Sequence, residues 1–361
     1  MEDIIFVGGA RDYHAMHRYR TVRNICGSKR IAFVTDLIES EGFERIANED
    51  DRIVKLFIID NLLFRKPSKY GDVWRNFVKL LVAPLQVLRL RVIAKRNPNA
   101  VFHALPMYYM FLCWLAGIPF NGTPQGSEIL VRPNRSRLYQ YFAAKCLTSA
   151  KHVTVDSVSM QDKIFQMCGK KATVIQNGID VATISRITIQ PCEREYVVSI
   201  RGFSSLYRID SILDGREHSR QKPRLHFIYP FEEGVYKSEV SKRFAPGDVD
   251  LGRLSKIKMY ELLVSSKLAI SIPASDSSPR SVYEAIFCGC CVAVTYNPWI
   301  DAIPDCMKAR LYLVDLDDTL WFEKALNYAN TITEIPYVPS DAALNMFDEK
   351  KAMQLAADML Y

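Results

Sequence analysis

The sequence predicts an α/β protein made of two Rossmann-like domains facing across a cleft. Its 361 residues exceed what one hydrophobic core usually supports, so two domains are expected. Short β-branched runs alternate with segments of helical period along most of the chain. These units fall into two series, separated by a polar stretch over residues 180–194 that carries Pro191.

In the first series Ile4–Val7, Ile31–Val34, Val54–Ile59, Val101–His103, Val153–Val155 and Thr173–Ile175 read as buried parallel strands. Leu138–Leu147 and Ser159–Cys168 have helical spacing between them. The second series runs through Tyr196–Ile200, Leu225–Tyr229, Leu268–Ile272, Val292–Thr295 and Leu311–Val314, with helices over Lys256–Ser265 and Ser281–Cys288. Repeated βα units imply doubly wound sheets, in which ligands bind beyond the carboxyl ends of the strands. The last stretch, Asp341–Tyr361, places Ala342, Ala343, Met346 and Phe347 on one helical face. The expected division is therefore residues 1–182, residues 183–340, and a terminal helical segment, 341–361, that returns toward the first domain.

Composition narrows the function. Hydrophobic residues at 49% and charged residues at 24% are ordinary for a soluble globular protein. The nine cysteines are an odd number in no disulfide pattern, which suits a reducing cytoplasm. Cys288-x-x-Cys291 has no second pair or nearby His to complete a metal site, so it reads as small core residues around Gly289. The start, Met-Glu-Asp followed by a strand, carries no signal-peptide pattern. The longest apolar stretch, Leu105–Phe120, is shorter than the ~20 residues of a membrane span.

One segment decides the class of chemistry. After the strand Leu268–Ile272 the chain reads Pro273-Ala-Ser-Asp276-Ser-Ser-Pro-Arg-Ser-Val-Tyr-Glu284-Ala-Ile-Phe-Cys-Gly289. Ser278 suits an N-cap and Pro279 a first helical position. A helix start offers free N–H groups and a positive dipole end, so a diphosphate fits near Arg280 and Ser281. Glu284, on the same helix, suits the vicinal hydroxyls of a ribose. This stretch resembles the Glu-x7-Glu donor signature of the retaining glycosyltransferases of family 4, here Asp276-x7-Glu284. Two more segments fit in family order: Val174-Ile-Gln-Asn177-Gly178-Ile-Asp180, and Val198-Ser-Ile-Arg201-Gly202-Phe with Tyr207-Arg208.

The resemblance implies a GT-B fold and a metal-independent transferase of the hexosyl kind. Its only small-molecule requirement would be a nucleoside-diphosphate sugar, with no separate cofactor. It places the nucleoside ribose at Glu284 and the transferred sugar at Asp276. The donor diphosphate falls to Arg201 and Arg208, with Asn177 in the interdomain segment. In the first half, Ile4-Ile-Phe-Val-Gly8-Gly9 is a strand entering a diglycine loop, where backbone can approach a ligand. Thr123-Pro-Gln125-Gly126-Ser127-Glu128 resembles the family's T-x-H-G-S-D loop, with Gln125 where relatives carry His and Glu128 in place of Asp. Gln accepts and donates hydrogen bonds but takes no proton at neutral pH. That leaves His103, at a strand end, as the nearest titratable candidate on the acceptor side.

Charge points to a partner. Residues 1–150 hold 22 Lys and Arg against 13 Asp and Glu, a net of +9, so the rest of a chain whose total is +7 is slightly acidic. Residues 65–96 hold nine cations and one acid, Asp72. Within them Trp74, Phe77, Val78, Leu81, Leu85, Leu88 and Val92 form an apolar helical stripe beside Arg89, Arg91, Lys95 and Arg96. A basic amphipathic helix of this kind suits either the sheet surface or an anionic membrane. No nucleic-acid recognition module is present, so no nucleic-acid partner is expected. The expected acceptor is a saccharide or lipid-linked saccharide, in surface polysaccharide or lipopolysaccharide synthesis. Two alternatives stay open: a nucleotide-sugar epimerase, or a catalytically silent binding partner. A nicotinamide dehydrogenase is not expected, because no dinucleotide fingerprint is present.

Overall fold

The computed structural model describes residues 2–38, 46–63, 71–176, 178–188 and 193–361. It comprises two compact units, Met1–Asn177 with Lys350–Tyr361, and Gly178–Glu349. The boundary precedes the polar stretch, and the chain returns to the first unit at Lys350. Within that stretch the residues Val181–Ile187 are helical, with Asp180 capping the Thr183 N–H at 3.0 Å.

In the first unit a five-stranded parallel sheet has the order β3 (Ile53–Lys55), β2 (Ile31–Thr35), β1 (Ile4–Val7), β4 (Val101–Ala104), β5 (Phe120–Gly122). Side chains alternate across it as a pleated strand requires. Ile4 and Phe6 pack on one face with Met16 and Tyr19 of the helix Tyr13–Ile25. Ile5 and Val7 pack on the other face with Met110 and Leu112 of the helix Met107–Ala116. Burial on both faces explains why these strands are uniformly apolar. Two expected strands lie elsewhere: β6 (Thr154–Val155) and β7 (Thr173–Val174) make a separate two-stranded parallel sheet. The strand expected over Val54–Ile59 is shorter, because Ile59 joins Leu37, Leu63 and Val78 in a small cluster of its own.

The second unit has a six-stranded parallel sheet, in the order β10 (Val249–Gly252), β9 (Leu225–Ile228), β8 (Tyr196–Ser199), β11 (Ser266–Ser271), β12 (Cys291–Val294), β13 (Leu311–Leu313). Relative to sequence this is the 3-2-1-4-5-6 order of dinucleotide-binding sheets. Val198, Ala269 and Val292 face one core, and Val197, Leu268 and Cys291 the other. The expected terminal helix is two helices, Asp341–Phe347 and Glu349–Leu360, with Asp348 extended between them. Ala343 and Phe347 belong to the second unit's core, whereas Ala352, Met353 and Ala356 pack on Ile175. Among the described residues all eight cysteines are free. Cys288, Cys290 and Cys291 are buried, and burial raises their thiols above the ordinary range.

His103 departs from expectation. It is completely buried, stacked on Phe6 with ring centroids 5.3 Å apart. Nε2 lies 2.8 Å from Thr123 Oγ1 and Nδ1 lies 2.5 Å from the Tyr361 hydroxyl, so both nitrogens are engaged inside the unit. Thr123 continues the chain to Thr154 at 2.6 Å, which accepts from Arg18 at 3.3 Å. Burial, with the nearby Arg18 cation, holds the imidazole well below its ordinary value of 6.5. The ring is therefore neutral and closed off, a structural group on the reverse of the role expected from its position.

Linkage gives this a measurable consequence. An imidazole kept neutral in the fold but free to protonate once unfolded makes the unfolded state gain protons below pH ~6.5. Stability contributed by His103 is therefore present above that pH and is lost as pH falls toward the folded value. In urea unfolding from pH 7 to 5.5, the wild type should lose up to ~1.4 kcal/mol per pH unit relative to His103→Gln. A constant difference between the two proteins over that range would refute a buried neutral imidazole.

Candidate functional site

The carboxyl ends of β8 and β11 bring three of the expected residues of the second unit together, Arg201, Asp276 and Ser281. Arg201 stands two residues beyond β8. Its Nε donates to Ser271 Oγ at 2.8 Å, and its Nη1 to Ser281 Oγ at 3.3 Å. Its other nitrogen is in ion-pair contact with Asp276. The Arg201 side chain is 13% exposed, and burial lowers its pKa from the ordinary value. Tyr207 covers it, the guanidinium carbon lying 5.2 Å from the ring centroid. One loop holds Asp276: Asn297, buried beyond β12, accepts from its N–H at 3.0 Å. The Ala274 N–H donates to the Leu206 carbonyl at 2.9 Å, joining this loop to the turn Ser205–Tyr207. A side chain at Gly202 would meet the Phe231 ring at 2.8 Å, so glycine is what allows Arg201 to sit beside that ring.

The helix Arg280–Phe287 follows, and here the expected cap is corrected. Pro279 is the N-cap and the helix begins at Arg280, one residue later than Ser278 would place it. Ser278 instead donates its N–H to Asp276 Oδ1 at 3.3 Å, an Asx-type turn that competes with capping. Ser281, one residue into the helix, faces Arg201. Arg280 and Glu284, four apart, share another face. Glu284 is buried, and Oε1 accepts from the Tyr260 hydroxyl at 2.9 Å and from Arg280 Nε at 3.3 Å. Burial and the adjacent carboxylate push the Tyr260 phenol far above its ordinary range, so it stays a donor. The Arg280 Nη2 donates to Glu349 Oε2 at 3.2 Å. Lys256 also reaches Glu349, at 3.8 Å, and Asp180 at 3.3 Å. Gly178, at φ 42°, packs directly on the Glu349 backbone, leaving no room for a side chain.

Arg208 has a different signature. It is the single non-glycine residue with positive φ among the described residues, at φ 52° and ψ 46°, and it caps the helix Ile209–His218. Asn177 lies outside the described residues.

In the first unit, Gly8 and Gly9 connect β1 to its helix. A side chain at Gly8 would meet the Leu105 carbonyl at 2.8 Å, so its need for glycine comes from packing within the unit. Gln125 is exposed, and its amide donates to Asp12 Oδ2 at 3.1 Å, joining the loops after β1 and β5. Glu128 is buried and structural: Oε2 accepts from the N–H groups of Gln125 at 3.0 Å and Met107 at 2.9 Å, the starts of two helices. Sequence reading missed a buried polar group at the same sheet edge. Asp36 accepts from Tyr109 and, at 2.9 Å, from Gln86, whose Oε1 takes the Tyr108 hydroxyl at 2.5 Å. Burial raises the Asp36 pKa. A shallow cavity of about 590 Å³, lined by Arg91, Lys95, Asn97, Asn121 and Lys151, opens near the amino ends of β4 and β5. That is the end away from the one where such sheets bind ligands.

The sequence matches no protein-family model and no curated protein. Solved structures match the whole chain. Anabaena Alr3699/HepE, in complex with UDP and glucose, superposes with a TM-score of 0.69 at 15% identity, over 100% of this chain and 99% of that one. Sucrose-phosphate synthase from Thermosynechococcus elongatus gives 0.71 at 11% identity, covering 99% and 98%. The lipopolysaccharide outer core galactosyltransferase WaaB gives 0.63 at 13%, covering 99% of each chain. The chain has the GT-B fold. The likeness extends through both units of this GT-B protein, at identities that speak for the fold alone.

The strained backbone at Arg208 can be tested separately from any ligand. A left-handed conformation costs an L-residue with a side chain roughly 1 kcal/mol, which glycine avoids. Arg208→Gly should therefore unfold at equal or higher denaturant concentration than the wild type, and Arg208→Ala at no higher. A glycine variant less stable than the wild type would show that the Arg208 side chain, and not relief of its backbone, is what the fold requires.

Proposed function

We propose that this GT-B protein is a glycosyltransferase that moves a sugar from a nucleoside-diphosphate donor to a hydroxyl of a saccharide or lipid-linked saccharide. The observation that carries the reading is the convergence of Arg201, Ser281 and Asp276 beyond β8 and β11, with Glu284 on the next turn of the helix. The diphosphate lies against Arg201 and the first turn of the helix Arg280–Phe287, whose free N–H groups and dipole favour anions. Charge on that diphosphate grows as the glycosidic bond breaks, so Arg201 and Arg208 bind the transition state more tightly than the ground state. Asp276 lies toward the transferred sugar and Glu284 takes the ribose hydroxyls. Tyr260 and Arg280 then fix which Glu284 oxygen is left for the nucleoside. In this reading the arginines carry the role a metal ion plays elsewhere, and the anomeric configuration is retained. Surface polysaccharide synthesis is the proposed setting.

On the acceptor side the reading assigns Gln125 an orienting role, since it cannot take a proton, and it leaves His103 out of the chemistry. The same Gln125 favours one second reading, a sugar-nucleotide-binding partner without turnover. The two readings separate in a transfer assay. Wild-type protein, incubated with UDP-, GDP-, ADP- and dTDP-sugars and a saccharide acceptor pool, should release one nucleoside diphosphate and form a product whose anomeric proton matches the donor's by NMR. Arg201→Gln should lower kcat at least ~100-fold, the scale seen when one preorganised donor to a developing charge is removed. An inverted product would refute retention, and binding without release would favour the silent partner.

A further inference from the structure

The helix Gly71–Arg96 is apolar on two faces, and among the described residues only one of them is buried in the fold. Val78, Leu90 and Ile93 are buried, and Gln86 on that face bonds Asp36. Of the stripe expected from the sequence, Val78 is buried with this face, and the other six residues form a different one. Trp74, Phe77, Leu81, Leu85, Leu88 and Val92 lie within roughly 40° of a single line, at ~100° per residue. Each of these six is between 41% and 61% exposed. Scattered exposed apolar residues are ordinary, but six in register along one helix form a continuous patch. The patch does not end with the helix. The Trp74 indole donates to the carbonyl of Leu62, 44% exposed, and Arg91 donates to the carbonyl of Leu115, 52% exposed.

Charge says what covers it. On the same wheel Arg89 and Arg96 flank one side of the stripe, and Arg91 and Lys95 the other. Residues 73–96 contain no Asp or Glu. Long cationic side chains beside an apolar stripe, with an indole toward one end, match a helix lying in the headgroup region of a bilayer. No described helix is long and apolar enough to cross a membrane, which fits a helix that lies on the surface. A second copy of the chain is the competing occupant, and the oligomeric state of the wild type distinguishes it.

We infer that the exposed face of the helix Gly71–Arg96 docks on an anionic lipid bilayer. The apolar stripe enters the acyl boundary, and Arg89, Arg91, Lys95 and Arg96 meet the phosphates. This surface lies on the first unit and does not depend on the donor site of the second. Its role, presenting a lipid-linked acceptor to the enzyme, rests on the sugar-transfer reading. For that reason the test uses neither donor nor acceptor, and a failed transfer assay leaves its result standing.

The experiment is vesicle flotation of the whole chain at about 100 mM salt, where surface charge is only partly screened. Vesicles of about 30 mol% phosphatidylglycerol in phosphatidylcholine are compared with pure phosphatidylcholine. The wild type should float with the anionic vesicles and partition at least ~10-fold less to the neutral ones. Leu81→Ser/Leu85→Ser/Leu88→Ser should lose at least ~10-fold of that binding with unchanged circular dichroism and melting, because the positions are exposed. Arg89→Gln/Arg96→Gln, which leaves the apolar stripe intact, should lose binding and its salt dependence together. Three results would overturn the inference. They are wild-type protein that stays at the bottom with anionic vesicles, a triple variant that floats like the wild type, and a wild-type dimer that the triple variant returns to monomer.

Discussion

Arg201 carries its charge into a place with little water, and much of the second unit's sheet edge is arranged to tolerate it. A guanidinium removed from solvent is stable only where charge and hydrogen bonds replace the lost hydration. Here the replacements come from three separate stretches: Ser271 at the end of β11, Asp276 in the loop after it, and Ser281 at the start of the following helix. Each stretch is fixed in turn by others. Asn297 grips the Asp276 amide, Leu206 takes the Ala274 N–H, and Gly202 lets the backbone pass against Phe231. A cation so constrained cannot rearrange at little cost, which is what preorganisation toward an incoming anion requires.

One turn further along the same helix the chemistry changes sign. Glu284 is a buried carboxylate whose Oε1 already accepts from Tyr260 and Arg280. Arg280 in turn leans on Glu349, which Lys256 also reaches. The helix thus divides a cation-centred cluster on the Ser281 side from a carboxylate-centred one on the Glu284 side. The first unit presents a contrast. Its buried polar groups, Asp36 with Tyr109 and Gln86, and His103 with Thr123 and Tyr361, are largely closed on themselves. Its outward-facing polar group of note is Gln125, tied to Asp12.

The sequence exposed the repeated βα pattern because both faces of each sheet are buried, which makes strands uninterrupted apolar runs. β1 is found over Ile4–Val7 as read, and β11 and β12 close to where they were expected. The reading failed where that signal is absent. β10, Val-Asp-Leu-Gly, is a half-exposed edge strand with no apolar run. β5, Phe-Asn-Gly, was hidden in an apolar stretch that is mostly helix, ending at Gly117. At the site, Arg201, Asp276, Ser281 and Glu284 were legible because one loop and one helix carry three of them. Tyr260, Asn297 and Glu349 were not, since nothing in their local sequence marks a partner supplied from elsewhere in the fold. His103 was misplaced for the same reason: its surroundings come from Phe6 and Tyr361, at the two ends of the chain. The exposed stripe on the helix Gly71–Arg96 was visible in the spacing, but only burial distinguished it from the face that packs.

Binding of an activated sugar's nucleoside diphosphate to the second unit, through Glu284 and its neighbours, can be measured by calorimetric titration. Wild-type protein and Glu284→Gln would each be titrated with UDP, GDP, ADP and dTDP in the presence of chelator, after their unliganded melting has been compared. One of the four should bind the wild type without metal and bind Glu284→Gln at least ~10-fold more weakly, the loss expected when a charged acceptor is removed from a hydrogen-bonded pair. Binding of none of the four, or equal binding by both proteins, would contradict it.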